Sequence, residues 1–104
     1  LPLHGPEPGR GHSYNLGVLH AARADAAAYL ADLAGRYPEA GTLPRAAEAY
    51  RRVAEALAEA VSLVPYPGEG LAGRRSEVAA CLDRALAAET EGIEAIERAL
   101  RALR

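Results

Sequence analysis

Lysine, methionine, tryptophan and phenylalanine are absent from this chain, and cysteine occurs once. The single thiol, Cys81, excludes an intramolecular disulfide framework of the kind that holds small secreted domains together. No apolar run approaches the roughly 18 to 20 residues of a bilayer-crossing helix, and Leu1 to Arg10 is rich in proline and glycine where a secretion signal would run from charged to apolar. Membrane insertion is therefore not expected, and the default location is cytoplasmic. An excess of either charge is missing too. Twelve basic residues against 14 acidic ones give a formal net charge of -2, with both signs mixed along the chain. That mixture offers no stripe suited to nucleic acid or to an anionic membrane.

What is present points to helix. All the basic residues are arginine and about a quarter of the chain is alanine, the strongest helix former. The pairing of arginine with alanine reads as coding from a GC-rich bacterial genome. At 104 residues the chain has room for one hydrophobic core and no second domain. It starts at Leu1 and not at methionine, which fits a piece of a longer polypeptide or a processed product.

Pro2, Pro6, Pro8, Gly5, Gly9 and Gly11 mark residues 1–12 as a linker or arm, and residues 13–104 as the folded domain. Ser13 is a good N-cap for a first helix whose apolar row runs Leu16, Leu19, Ala26, Leu30, Leu33 and Tyr37, ending near Gly35 before Pro38. Thr42 caps a second helix with Pro44 in its first turn and the row Leu43, Ala47, Tyr50, Ala54, Leu57, Val61 and Val64, stopped by Pro65 and Pro67. A third helix spans Arg74 to about Leu103 with the row Val78, Leu82, Ala85, Ile93, Ile96, Leu100 and Leu103. Gly92 inside it costs about 1 kcal/mol relative to alanine, but helix-forming flanks keep the helix continuous.

Short connections between long helices favour antiparallel neighbours, so the fold class expected is all-α: a three-helix, up-down-up bundle. Glu48 with Arg52, Glu94 with Arg98 and Glu97 with Arg101 stand in the favourable (i, i+4) order. Alanine-rich seams let helices approach closely but bury little surface per residue, so the core is thin and invites a covering surface, either a second copy or an upstream domain.

Candidate chemistry is sparse. Gly68, Gly70 and Gly73 form a literal G-x-G-x-x-G before the third helix, with Arg74 and Arg75 as a possible anion site, but the preceding strand of a dinucleotide fold is missing and a plain loop is the better reading. His4, His12 and His20 lack metal-ligand spacing. His20 is expected as a surface or boundary residue, bonded to an acidic neighbour or the loop facing it. Cys81 sits among alanines and Leu82 as a small buried residue; its alternative is a nucleophile meeting His20 or His12 in space. Glu89, Glu91, Glu94 and Glu97 read as a solvated face and not as an inward carboxylate metal site. Tyr29, Tyr37 and Tyr50 suit the bundle edges, and Tyr29 with Tyr50 would be the anchors of any pocket for a small apolar ligand.

Three local signatures carry a resemblance. Ser13-Tyr14-Asn15 opens a helix; Tyr50 and Val53 precede Leu63-Val64-Pro65-Tyr66-Pro67; and Arg75, Glu77, Ala80, Leu82 and Ala85 lead into Glu89, Gly92, Ile93, Ala95 and Leu100. From Ser13 to Leu103 this resembles the C-terminal helical region of uncharacterised bacterial proteins whose N-terminal part is a papain-like, cysteine-peptidase-like domain similar to the butirosin biosynthesis H acyltransferase group. The resemblance implies that the catalytic cysteine and histidine lie upstream, so it transfers no active-site residue here. The function expected is a non-catalytic helical accessory or interaction domain, with no catalytic, metal or cofactor residues of its own, whose partner is its own upstream domain or a second copy in a homodimer.

Overall fold

In the computed structural model, helices α1 (Pro8–Arg36), α2 (Leu43–Leu63) and α3 (Arg75–Leu103) carry the chain. The structure describes the backbone of residues 8–63 and 74–104, with side chains from Leu16 onward. Pro65, Pro67 and the glycines of the loop before α3 lie outside the described residues, as does the arm up to Glu7.

Helix α1 begins at Pro8 and not at Ser13, so the last five residues of the expected arm are helical. Proline in the first turn gives up an N–H that has no intrahelical acceptor, and its fixed φ is already helical. Gly9 and Gly11 each cost about 1 kcal/mol there, a local weakness that a 29-residue helix propagates through. After Arg36 the backbone N–H of Tyr37 still reaches the Leu33 carbonyl (2.9 Å), and Pro38 then ends the ladder. Successive turns close through Ala40 N–H to Tyr37 O and Leu43 N–H to Ala40 O.

Thr42 occupies the expected start of α2, its carbonyl accepting from Ala46 N–H at 3.0 Å. Its hydroxyl does not cap the helix. It donates to the Ala95 carbonyl at 2.7 Å and ties the α1–α2 turn to α3.

Chain directions follow from the contacts. Leu30 meets Leu43 in one core cluster, while Leu16 packs near Leu57 in the other, so α1 and α2 are antiparallel. Ala46 sits with Ala95 and Ala99, and Ala56 with Ala85 and Ala88, so α3 is antiparallel to α2. This is the up-down-up, all-α bundle that the short connections predict. Its helices are not equivalent: α2 packs along both neighbours, whereas α1 and α3 scarcely approach one another.

The seams differ from the expected rows. On α3 the buried residues are Cys81, Ala85, Ala88, Gly92, Ala95 and Ala99, advancing by four and three residues in alternation. Of the expected row only Ala85 is buried; Leu82, Ile93, Leu100 and Leu103 are exposed, with Val78 and Ile96 half-buried. On α2, Leu43, Ala54 and Leu57 are buried as expected, but Ala46, Ala49, Val53, Ala56 and Ala60 supply most of the rest. In α1 Leu30 is buried and Leu16, Ala26 and Leu33 are half-buried, while Leu19 and Tyr37 face out. The reason is steric: small side chains on both α2 and α3 let the backbones approach too closely for leucine to fit between them. Ten of the fifteen buried apolar residues described are alanine, so the core is thin in the physical sense: each position contributes little apolar area.

Gly92 is the tightest point. The helix runs through it unbroken, and the glycine is buried against α2. A Cβ placed there would lie 2.6 Å from Tyr50 Cε2 and 2.8 Å from Cδ2. The missing side chain is the seat of the Tyr50 ring.

Candidate functional site

Because α1 and α3 both lean on α2 without closing on each other, a groove is left between them. It has a volume of about 290 Å³ and is lined by Ala22, Ala26, Tyr29, Leu30, Tyr50 and Ile96, with Arg23 and Glu89 across it. Tyr29 and Tyr50, the two candidate pocket residues, thus line one groove. Tyr29 stands exposed at its rim and Tyr50 is half-buried in both core clusters.

One ion pair spans the groove. Arg23 Nη2 lies 3.0 Å from Glu89 Oε2, and its Nε and Nη2 both reach Oε1, at 3.3 and 3.2 Å. Both side chains are about a quarter to a third exposed, so the fork is partly shielded from water and holds α1 to α3 where the backbones do not meet. Burial pushes the Tyr50 hydroxyl above its ordinary value; the Glu89 carboxylate adds to that and Arg23 opposes it. The phenol therefore stays a neutral hydrogen-bonding group at physiological pH.

His20 is bonded to neither an acid nor a loop. Its Nδ1–H, in the tautomer this contact requires, donates to the Ala54 carbonyl of α2 at 2.9 Å. Cys81 is buried on α3, and its Sγ accepts from Arg84 Nη2 at 3.4 Å. No hydrogen bond joins Cys81 to His20 among the described residues, and the side chain of His12 lies outside them. The thiol is buried, as expected of a small apolar residue among alanines.

The acidic run on α3 is distributed over separate duties. Glu89 faces Arg23, while Glu91 crosses to Arg52 of α2 at 3.0 Å. Arg84 of α3 reaches back to Glu59 at 2.7 Å. Arg52 therefore does not take Glu48 as its (i, i+4) partner; Glu48 pairs instead with Arg51, which also reaches Glu55. The neighbouring helix, invisible to a single-helix rule, outcompetes the local pairing. The Arg52 guanidinium holds the Glu91 carboxyl below its ordinary value, and Arg51 does the same for Glu48. No group of three or more His, Cys, Asp or Glu side chains is arranged to hold a metal ion among the described residues.

Arg74 and Arg75 are exposed at the start of α3, where Arg74 offers no side-chain cap. The glycines that would complete an anion site beside them lie outside the described residues.

The feature that sequence reasoning missed is outside the groove. Leu82, Leu86, Ile93, Leu100 and Leu103 of α3 are 40 to 68% exposed. At 100° per residue the first four fall within about 40° of one line along the helix, roughly a third of a turn from the buried alanine row. Leu86, the most exposed of them, belonged to no expected row. No helix among the described residues is long and apolar enough to cross a membrane.

Comparison with protein-family models, with curated proteins and with solved structures returns no match for this chain.

Proposed function

We propose that this chain is a non-catalytic helical interaction module that docks on another protein surface through the outward apolar stripe of α3. The observation that carries the reading is the inversion of α3: alanines and a glycine face inward while leucines and an isoleucine face out. Large apolar side chains aligned on one exposed face mark an interaction surface, whereas isolated ones need no explanation. The resemblance of Ser13 to Leu103 to a helical region that follows a papain-like domain supports the same role, with any chemistry located upstream.

A second reading is favoured by the groove. Tyr29 and Tyr50 could anchor a small apolar ligand, with Arg23 and Glu89 as its polar ends.

The test compares wild type with Leu86→Glu/Ile93→Glu, following helix content and thermal melting at several protein concentrations, and retention on a phenyl matrix. An interaction stripe predicts near-wild-type melting of the dilute double variant and much earlier elution. A melt lowered by more than about 10 °C at every concentration alike, equivalent to roughly 2 kcal/mol, would assign the stripe to the chain's own core and end the reading. Loss of phenyl retention on Tyr29→Ala in place of the stripe variant would shift the assignment to the groove.

A further inference from the structure

The stripe on α3 has a symmetry that selects its occupant. Leu86 lies seven residues before Ile93 and Leu100 seven residues after it; Leu82 extends one end on the same line at 11 residues, and Leu103 flanks the other at 10 residues, about 80° round the helix. Seven residues bring a helix back to within about 20° of the same line. A two-fold axis through Ile93, perpendicular to α3, therefore lays the stripe onto itself. That is the condition an isologous interface imposes, since each residue i that meets j must also be met by it.

We propose that α3 pairs antiparallel with α3 of a second copy about a two-fold axis at Ile93, an inference that rests on the interaction-module reading. Leu86 then packs on Leu100 of the second copy, and Leu82 lies beside the second copy's Leu103. Of the charges flanking the stripe, one pair agrees with the same axis, while Glu94 and Glu97 on that flank meet no cation across it. Asp83 and Arg101 are 18 residues apart, which is five helical turns, so both lie on one side of the stripe. Both are exposed, and neither joins an ion pair within the described residues. Rotation about Ile93 brings Asp83 of each copy to Arg101 of the other, giving two complementary contacts. A parallel, in-register pair would instead set Asp83 on Asp83 and Arg101 on Arg101.

The size of the stripe sets the strength. Five large side chains about half exposed offer on the order of 300 Å² of apolar surface per copy, roughly 600 Å² for the pair, which is below the ~1,200 Å² of stable specific interfaces and in the range of a weak, transient contact. The dimer is accordingly reversible, populated at high micromolar concentration and dissociated on dilution.

Light scattering on the full chain from about 5 to 500 µM, in the range where such a weak interface titrates, tests the assembly. Disulfide trapping tests its geometry in a Cys81→Ala background. The expected outcome is a mass rising from monomer to dimer, with Ile93→Cys crosslinking to itself, Leu86→Cys and Leu100→Cys crosslinking to one another in a mixture, and neither of the latter crosslinking to itself. Asp83→Arg should weaken the dimer, and Asp83→Arg/Arg101→Asp should restore it. Monomer mass at all concentrations, or self-crosslinking of Leu86→Cys, overturns the proposal. A monomer whose stripe variants stay folded and lose phenyl retention sinks self-pairing alone; stripe variants that collapse at every concentration sink the module reading with it.

Discussion

Adding one methyl group at Gly92 sets two effects of known sign against each other. In an open helix, glycine to alanine stabilises by about 1 kcal/mol through backbone entropy and propensity. Here the new Cβ would stand 2.6 and 2.8 Å from two carbons of the Tyr50 ring and 3.4 Å from Ala49 Cβ. Carbon pairs rest at about 3.5 to 4.0 Å, so the ring or the helix must move by roughly 1 Å. Tyr50 cannot swing freely, because it packs against both core clusters at once. Overpacking of this kind costs about 1 to 3 kcal/mol. Gly92→Ala should therefore destabilise by about 1 kcal/mol net, lowering the melting temperature by roughly 4 to 8 °C for a chain of this size. In a Tyr50→Ala background the collision is gone and the same methyl should raise stability by about 1 kcal/mol. Urea unfolding of the four proteins of this cycle gives a coupling of roughly 1 to 3 kcal/mol between positions 50 and 92. If Gly92→Ala stabilises equally in both backgrounds, Tyr50 is not seated on Gly92 and the alanine seam is wrong.

Three further outcomes follow from the same packing. Ala95→Leu should destabilise by about 2 kcal/mol or more, because a leucine does not fit the seam, while Leu86→Gln should change monomer stability by less than about 0.5 kcal/mol; dilute thermal melts rank the two, and the reverse order would place the leucines inside. Arg23→Ala and Glu89→Ala should each cost about 1 kcal/mol or less, with a positive coupling that shrinks in 0.5 M salt, since the pair is only partly shielded; a double-mutant cycle by chemical denaturation reads it. Stability should also decline on acidification. Glu91 and Glu48 are held below their ordinary value near 4.5 by Arg52 and Arg51, so their contribution is present above that pH and is lost as the pH falls through the lowered values. Arg52→Ala should flatten that decline in a pH series of melts, and an unchanged slope would show the pair contributes nothing.

The number of helices, their order and their antiparallel directions were legible because they depend on local signals. Pro38, Pro44 and Thr42 bracket α1 and α2, and the alanine-rich stretches leave no competing strand. The groove residues Tyr29 and Tyr50 were legible for a similar reason: an amphipathic aromatic near an apolar row goes to a bundle edge. The start of α1 was not, since the glycines and prolines of residues 8–12 read locally as a breaker, whereas a first-turn proline is compatible with helix. Nor were the partners of His20, Thr42 and Arg52, each bonded to a residue at least 34 positions away. Such contacts are set by which helix lies alongside, and that is decided by the whole bundle.

The choice of inward face on α3 is the instructive failure. Two apolar rows run along this helix, one of alanine with Cys81 and Gly92 at alternating steps of four and three, and one of leucine and isoleucine at steps of four, seven, seven and three, and hydrophobicity alone favours the second as core. Burying the leucines would gain more area per residue, but only if α2 stood far enough away to admit them. Helix α2 offers Ala46, Ala49, Ala56 and Ala60 on the facing side, and its Tyr50 needs the notch at Gly92. Close backbone approach is thus favoured by contributions from both helices, and it excludes the larger row. A helix that sends its bulkier apolar residues outward gives up burial within its own chain, and that surface remains available to another. The same alanines that make the interior thin leave the outer face of α3 apolar, so the packing of the core and the proposed interaction surface have a single physical origin.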